Sequence, residues 1–196
     1  MEGYKHGIFK SDEKKDSDYF KKFAETAKRF SQFKETEYAT FYDIIAWNLS
    51  GGTEAVELKT RGKGADKFKD CFIEPEKFGD LKNLWLWYRT LPLYINFIGD
   101  WKNVYIWVLP QLQNTLNFYP SVLIDGKWES RIGLRWDEAY HYVYDEGSGE
   151  YIIHKPKKGT LRKLEYEVFK SDYNQVINNK IDKTTIPQIW KNRKQE

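Results

Sequence analysis

The stretch from Thr40 to Arg61 constrains this chain more than any other, because two strand-forming runs lie on either side of a five-residue turn. Thr40–Trp47 (TFYDIIAW) is rich in β-branched and aromatic residues, and Thr53–Arg61 (TEAVELKTR) has the same character. Asn48-Leu49-Ser50-Gly51-Gly52 supplies turn chemistry between them. So short a connection predicts an antiparallel hairpin. The period of two puts Glu57 and Lys59 on one face of the second strand, with Val56 and Leu58 on the other. Opposite charges on an otherwise apolar strand cost free energy unless they are paired or used. If the hairpin brings Asp43 near Glu57, two carboxylates and an ammonium converge at one end of a sheet.

The surroundings of the hairpin read as alternating helix and strand. Ser17 is placed to cap a helix running to about Phe33, with Phe20, Phe23, Ala24, Ala27 and Phe30 on one face. After the hairpin, Gly62-Lys63-Gly64 ends the strand and Phe68–Ile73 reads as a third strand. Glu74-Pro75-Glu76 is a good helix start, and that helix is expected to reach about Arg89. Leu93–Ile98 and Asn103–Leu109 follow as strands with little alternation, which suits well-covered positions in a sheet. The order α, β, β, β, α, β, β predicts an α/β fold with a mixed sheet. Beyond Pro110 the pattern weakens. Tyr140–Tyr144 and Glu150–His154 read as strands, Leu161–Phe169 as another, and the residues from Trp190 as a frayed end. A single domain over 1–196 is expected, with any boundary falling near Pro110–Pro120.

Two carboxylates bind a hard cation such as Mg²⁺ or Mn²⁺, with waters filling the other positions. Such an ion lowers the pKa of a bound water and polarises a phosphoryl oxygen, and a nearby lysine can orient the water or stabilise charge on the phosphate. Phosphodiester hydrolysis needs these contributions. With Asp43 in YDII, the glycine-bearing spacer and Glu57-x-Lys59 in VELKTR, residues 17–109 resemble the PD-(D/E)XK nuclease superfamily. Tyr42 stands where the family pattern has proline, a departure that the superfamily widely tolerates. The resemblance implies a restriction-endonuclease-like mixed central sheet flanked by helices, an αβββαβ core over about 17–109, and a C-terminal β-rich extension over about 110–196. It implies that Asp43, Glu57 and the Leu58 carbonyl bind the metal and that Lys59 assists the nucleophilic water. It also suggests an acid on the first helix, for which Glu25 is the candidate. Glu74 is a further candidate near the sheet end, against the plainer reading of Glu74 and Glu76 as charge complementarity at a helix start. Lys77 can touch phosphate or be merely solvated.

A net charge of +3 does not by itself indicate nucleic acid, so distribution must decide. Arg61 and Lys63 lie just past the E-x-K strand, and Lys157, Lys158 and Arg162 belong to a basic cluster with Lys155 and Lys163. These are the candidates for gripping a phosphate backbone. Trp47, Trp101, Trp107 and Trp136 can stack on bases, although core packing is the commoner use of such rings. His6, His141 and His154 have no ligand spacing, Asp100 reads as a turn residue, and no phosphate-binding glycine loop is present. The lone Cys71 excludes an internal disulfide and fits a reducing, cytoplasmic setting. Met1–Lys15 lacks the apolar run of a signal peptide, and no apolar stretch reaches membrane-spanning length. The expected function is a Mg²⁺-dependent deoxyribonuclease with DNA as partner, and a homodimer is consistent with action on two strands. The rival expectation is a catalytically inactive module that binds nucleic acid or protein through the same fold.

Overall fold

A computed structural model describes residues 13–36, 42–112, 116–124 and 127–156, all within a unit bounded by Met1 and Arg162. That unit continues through Pro110–Pro120, with no division there. The expected strand over Leu161–Phe169 and the frayed end from Trp190 lie outside the described residues.

The first helix, α1, spans Glu13–Ala27. It starts before Ser17, since Glu and Lys are good helix formers, and the Ser17 hydroxyl donates to Glu35 instead of capping. It also ends earlier than expected. Lys28 adopts a left-handed backbone at φ 49°, and Phe30–Glu35 forms a strand, β1. Phe30 continues the helical spacing of Phe20, Phe23, Ala24 and Ala27, and Phe33, the expected helix end, lies three residues further on. A register shift between Phe30 and Gln32 explains that spacing. The bulge offsets the strand's alternation, so both rings turn inward and pack on Phe20, at centroid distances of 5.4 and 5.2 Å.

The hairpin forms as expected. β2 (Ile44–Asn48) pairs antiparallel with β3 (Thr53–Arg61). Asn48 Oδ1 accepts from the backbone N–H groups of Ser50 and Gly52, at 3.0 and 2.9 Å, and Gly51 takes the positive φ of 83° that the turn requires. β4 (Asp70–Ile73) leaves this sheet and α2 (Pro75–Tyr88) follows. β5 (Leu91–Ile98) returns parallel to β3, the crossover expected when a helix joins two strands of one sheet. β6 (Asn103–Val108), β9 (Tyr140–Asp145) and β10 (Glu150–His154) complete a seven-stranded mixed sheet in the order β1-β2-β3-β5-β6-β9-β10. β7 (Asn117–Ile124) and β8 (Lys127–Arg135) join β4 in a second sheet of order β4-β8-β7. The fold is therefore α/β, and its later part is rich in strands through His154.

One face of the large sheet is sealed by α1. Phe20, Phe23 and Ala24 cluster with Val56 and Leu58 of β3, Leu93, Ile95 and Phe97 of β5, and Val104 and Ile106 of β6. The alternate residues of β3, Ala55, Glu57, Lys59 and Arg61, point to the other face. That face is covered in part by α2 and β4, and it carries the polar chemistry.

Candidate active site

Glu57 is wholly buried at the middle of a central strand. Its Oε1 accepts from Lys77 Nζ of α2 at 2.6 Å and lies 3.4 Å from Lys59 Nζ. Its Oε2 has no hydrogen-bond partner among the described residues. Burial, followed by the negative charge of Asp43, pushes the Glu57 carboxyl up to about 7, and the two lysines only partly oppose this. The Asp43 carboxylate is held by the N–H of Leu58, the residue next to Glu57, which places the two acids in one neighbourhood.

Asp43 sits one residue before β2 instead of inside it. Its backbone N–H donates to the Val56 carbonyl at 2.9 Å, and its Oδ2 accepts from the Leu58 N–H at 2.7 Å. A side chain thus takes a donor that a continued β2 ladder would have used. This fixes the carboxylate against β3 and ends the pairing at Ile44↔Val56. In a strand the N–H and C=O of one residue face the same edge. The Leu58 carbonyl therefore faces the edge where Asp43 is held.

This donor set can be tested against a metal. Among the described residues, no group of three or more His, Cys, Asp or Glu side chains is arranged to hold an ion. Mg²⁺ does not need such a cage, since it binds through one or two carboxylates and keeps several waters. Two converging carboxylates, one with an unsatisfied buried oxygen and a raised affinity for protons, have the chemistry of an oxygen site for a hard cation. Asp43 and Glu57 fit that role, with the Leu58 carbonyl beside them.

Several expected site residues lie elsewhere. Glu25 is exposed on α1, and α1 packs on the sheet face opposite Glu57, so it cannot join this site. Arg61 does not reach outward past the strand. As the next residue of the 57, 59, 61 series it turns inward, 7% exposed, under the second sheet. There its Nε donates to Asn96 Oδ1 at 2.9 Å, and its Nη2 donates to the Phe72 carbonyl at 2.8 Å and the Tyr94 hydroxyl at 3.0 Å. Cys71 is buried in the same cluster, and its thiol donates to Asn96 Oδ1. Lys63 lines a cavity of about 870 Å³ at the ends of β3 and β5, with Lys15, Lys67, Asp66 and Asp100, and Glu57 does not line it. Glu74 is half-exposed at the start of α2, 3.8 Å from Arg131, and makes no capping hydrogen bond. Lys157, Lys158 and Arg162 lie outside the described residues, as does His6.

The tryptophans sort by hydrogen bond. Trp107 donates to the Arg135 carbonyl and Trp136 to the Phe68 carbonyl, both at 2.9 Å, so these rings are packed inside. The most exposed of the described rings, Trp128 at 70% and Phe118 at 61%, belong to the β7–β8 ribbon, which the sequence left without a pattern. Lys77 joins the group of Asp43, Glu57 and Lys59 through its contact with Glu57. Only the fold of α2 across β3 brings it to Glu57, and no local spacing announces that. No protein-family model matches the chain, and no curated protein does. No helix among the described residues is long and apolar enough to cross a membrane.

Proposed function

We propose that this protein is a metal-dependent nuclease that hydrolyses phosphodiester bonds in DNA, on a restriction-endonuclease-like core. The observation that carries the reading is the convergence of Asp43, Glu57 and Lys59 at the edge of a central strand, with one Glu57 oxygen unsatisfied. With β4 set aside in the second sheet, α1, β1, β2, β3, α2 and β5 follow the α-β-β-β-α-β order that the resemblance implies, although the expected third strand was Phe68–Ile73, the region of β4. β1 supplies a strand that the sequence reading had assigned to the helix.

Asp43 and Glu57 hold the cation, beside the Leu58 carbonyl. A bound Mg²⁺ or Mn²⁺ supplies Lewis acidity to the phosphoryl oxygen and a water of lowered pKa. Leu58 N–H holds Asp43 in place by its bond to Oδ2, which leaves the other oxygen to bind. Lys59, about a quarter exposed, reaches from the buried acids toward solvent and donates to the attacking water or to a phosphate oxygen. Burial of Glu57 strengthens these interactions by lowering the local dielectric.

The test is cleavage of duplex, single-stranded and branched DNA with Mg²⁺ or Mn²⁺. Cleavage abolished by EDTA and by Glu57→Gln supports the reading, and inactivity of the wild type on every substrate rejects it. One observation favours the second reading, an inactive binding module. Lys77 already neutralises Glu57, and two lysines balance two acids without a metal. Calorimetry with Mn²⁺ separates the two, because a pure binding surface takes up no ion through Asp43 and Glu57.

A further inference from the structure

The lysine nearest to Glu57 is not the one on its own strand. Lys77 Nζ lies 2.6 Å from Glu57 Oε1, against 3.4 Å for Lys59. Lys77 comes from the first turn of α2, and its side chain is 28% exposed while that of Glu57 is not exposed at all. One end of the Lys77 side chain thus touches a buried acid while the rest borders solvent. A lysine is a point charge with three donors on a flexible stem, so it can change partners without moving the backbone. Burial lowers the Lys77 pKa, but Glu57, with help from Asp43 and Glu74, more than offsets this and holds it above its usual value. An ammonium beside a phosphate or in solvent is a cation at neutral pH as well.

The charges set the problem. Asp43 and Glu57 carry two negative charges, and Lys59 and Lys77 carry two positive ones. A divalent cation on the same carboxylates leaves two positive charges in excess, at a site where Glu57 is fully buried. Two phosphates of a nucleic-acid strand restore the balance if a lysine turns to them. Lys59 shares β3 with Glu57, whereas Lys77, the nearer of the two to its Oε1, comes from a separate element.

We propose that Lys77 is an exchangeable counter-ion, which holds Glu57 until a phosphodiester draws its ammonium away and so couples divalent-cation binding positively to nucleic-acid binding. This rests on the nuclease reading and adds a positioning residue to it. Linkage makes the coupling reciprocal, so the oligonucleotide tightens the metal by the factor by which the metal tightens the oligonucleotide.

The experiment is Mn²⁺ calorimetry on the full chain, with and without a cleavage-resistant phosphorothioate oligonucleotide, for the wild type, Lys77→Met and Lys77→Arg. In the wild type the oligonucleotide raises Mn²⁺ affinity by about tenfold or more. Lys77→Met binds Mn²⁺ alone about tenfold more tightly than the wild type, and the oligonucleotide adds at most about threefold to it. Lys77→Arg keeps the charge, so its affinity for Mn²⁺ alone stays near that of the wild type and below that of Lys77→Met. Absence of coupling in the wild type overturns the proposal without any variant. So does a Lys77→Met protein that binds Mn²⁺ no more tightly than the wild type, or that keeps the full coupling. If the wild type binds Mn²⁺ and cleaves DNA in these cases, only the role of Lys77 falls. If neither the wild type nor Lys77→Met binds Mn²⁺ with the oligonucleotide present, the nuclease reading falls with it.

Discussion

Glu54 and Glu57 lie three residues apart on β3, both are buried, and the fold treats them in opposite ways. Glu54 is closed off. Arg29 Nη2 donates to both of its oxygens, at 3.1 and 3.2 Å, and Asn48 Nδ2 donates to Oε1 at 3.2 Å. Glu57 has a lysine on one oxygen and, among the described residues, no hydrogen-bond partner on the other, and it stands near a second acid. A buried carboxylate is tolerated when its lone pairs are filled by fixed donors. Around Glu54 one arginine nitrogen reaches both oxygens and an amide joins it, whereas a lysine acts as a mobile point charge. On the proposed reading, the turn end of β3 holds the hairpin together and its middle is where a cation would bind.

The largest effect expected from this contrast is on cleavage. Glu57→Gln keeps the shape of the side chain but removes the charge that binds a cation, and DNA cleavage should fall about a thousandfold or more. Glu54→Gln should leave the rate per folded molecule near that of the wild type. Equal losses in the two would erase the distinction drawn here. Lys59→Met removes a donor but no metal ligand, so a smaller loss of about a hundredfold in kcat is expected, with Mn²⁺ affinity kept. A Lys59→Met protein with wild-type kcat would assign the lysine role to another residue.

Stability should show the reverse order. Glu54→Ala leaves Arg29 without its carboxylate. Because the Arg29 side chain is 26% exposed, the cost belongs below the full range for buried pairs, at about 2–3 kcal/mol by urea denaturation. For Glu57 the prediction concerns pH. Its carboxyl titrates near 7 in the folded, metal-free protein against 4.5 for an unperturbed group. Between these values the folded state holds a proton that the unfolded state has released, so raising the pH favours unfolding. Stability in EDTA should therefore fall from about pH 4.5 to 7 by an amount on the order of 2 kcal/mol, then level off. Glu57→Gln should remove most of that slope. A slope of the opposite sign between those pH values would mean that Glu57 is better paired than the geometry indicates.

The parts of this fold legible from sequence are those where one local rule decides. The hairpin followed from turn residues between β-formers, α2 from Pro75 in the first turn, and the buried β5 and β6 from continuous apolar runs. The alternation of β3 put Glu57 and Lys59 on a common face. The failures occur where two rules compete. Phe30 and Phe33 have helical spacing because a bulge interrupts a strand. β7 carries Pro120 beside a register shift between Tyr119 and Val122, and it exposes Phe118, so neither its period nor its polarity reads as a strand. Arg61 was placed outside because charged residues near a strand end usually are, but the second sheet that covers it is built from segments distant in sequence. Lys77 reads from sequence only as a phosphate contact or a solvated residue, because its partner Glu57 is set by where α2 packs on the sheet.

The smallest effect sharpens the comparison most, because it touches one end of β3 alone. Asn48 links the turn to Glu54: its Oδ1 accepts from Ser50 and Gly52, and its Nδ2 donates to Glu54. Asn48→Ala removes these bonds, but Arg29 still satisfies both Glu54 oxygens and the exposed turn can bond to water. A loss of about 1 kcal/mol is expected in denaturant unfolding. Asp43 is anchored separately, by Val56 and Leu58 on the far side of the register. Mn²⁺ affinity and cleavage rate should therefore not change. A fall in Mn²⁺ affinity in Asn48→Ala would show that the turn sets the position of Asp43, and that the two ends of the strand are one device.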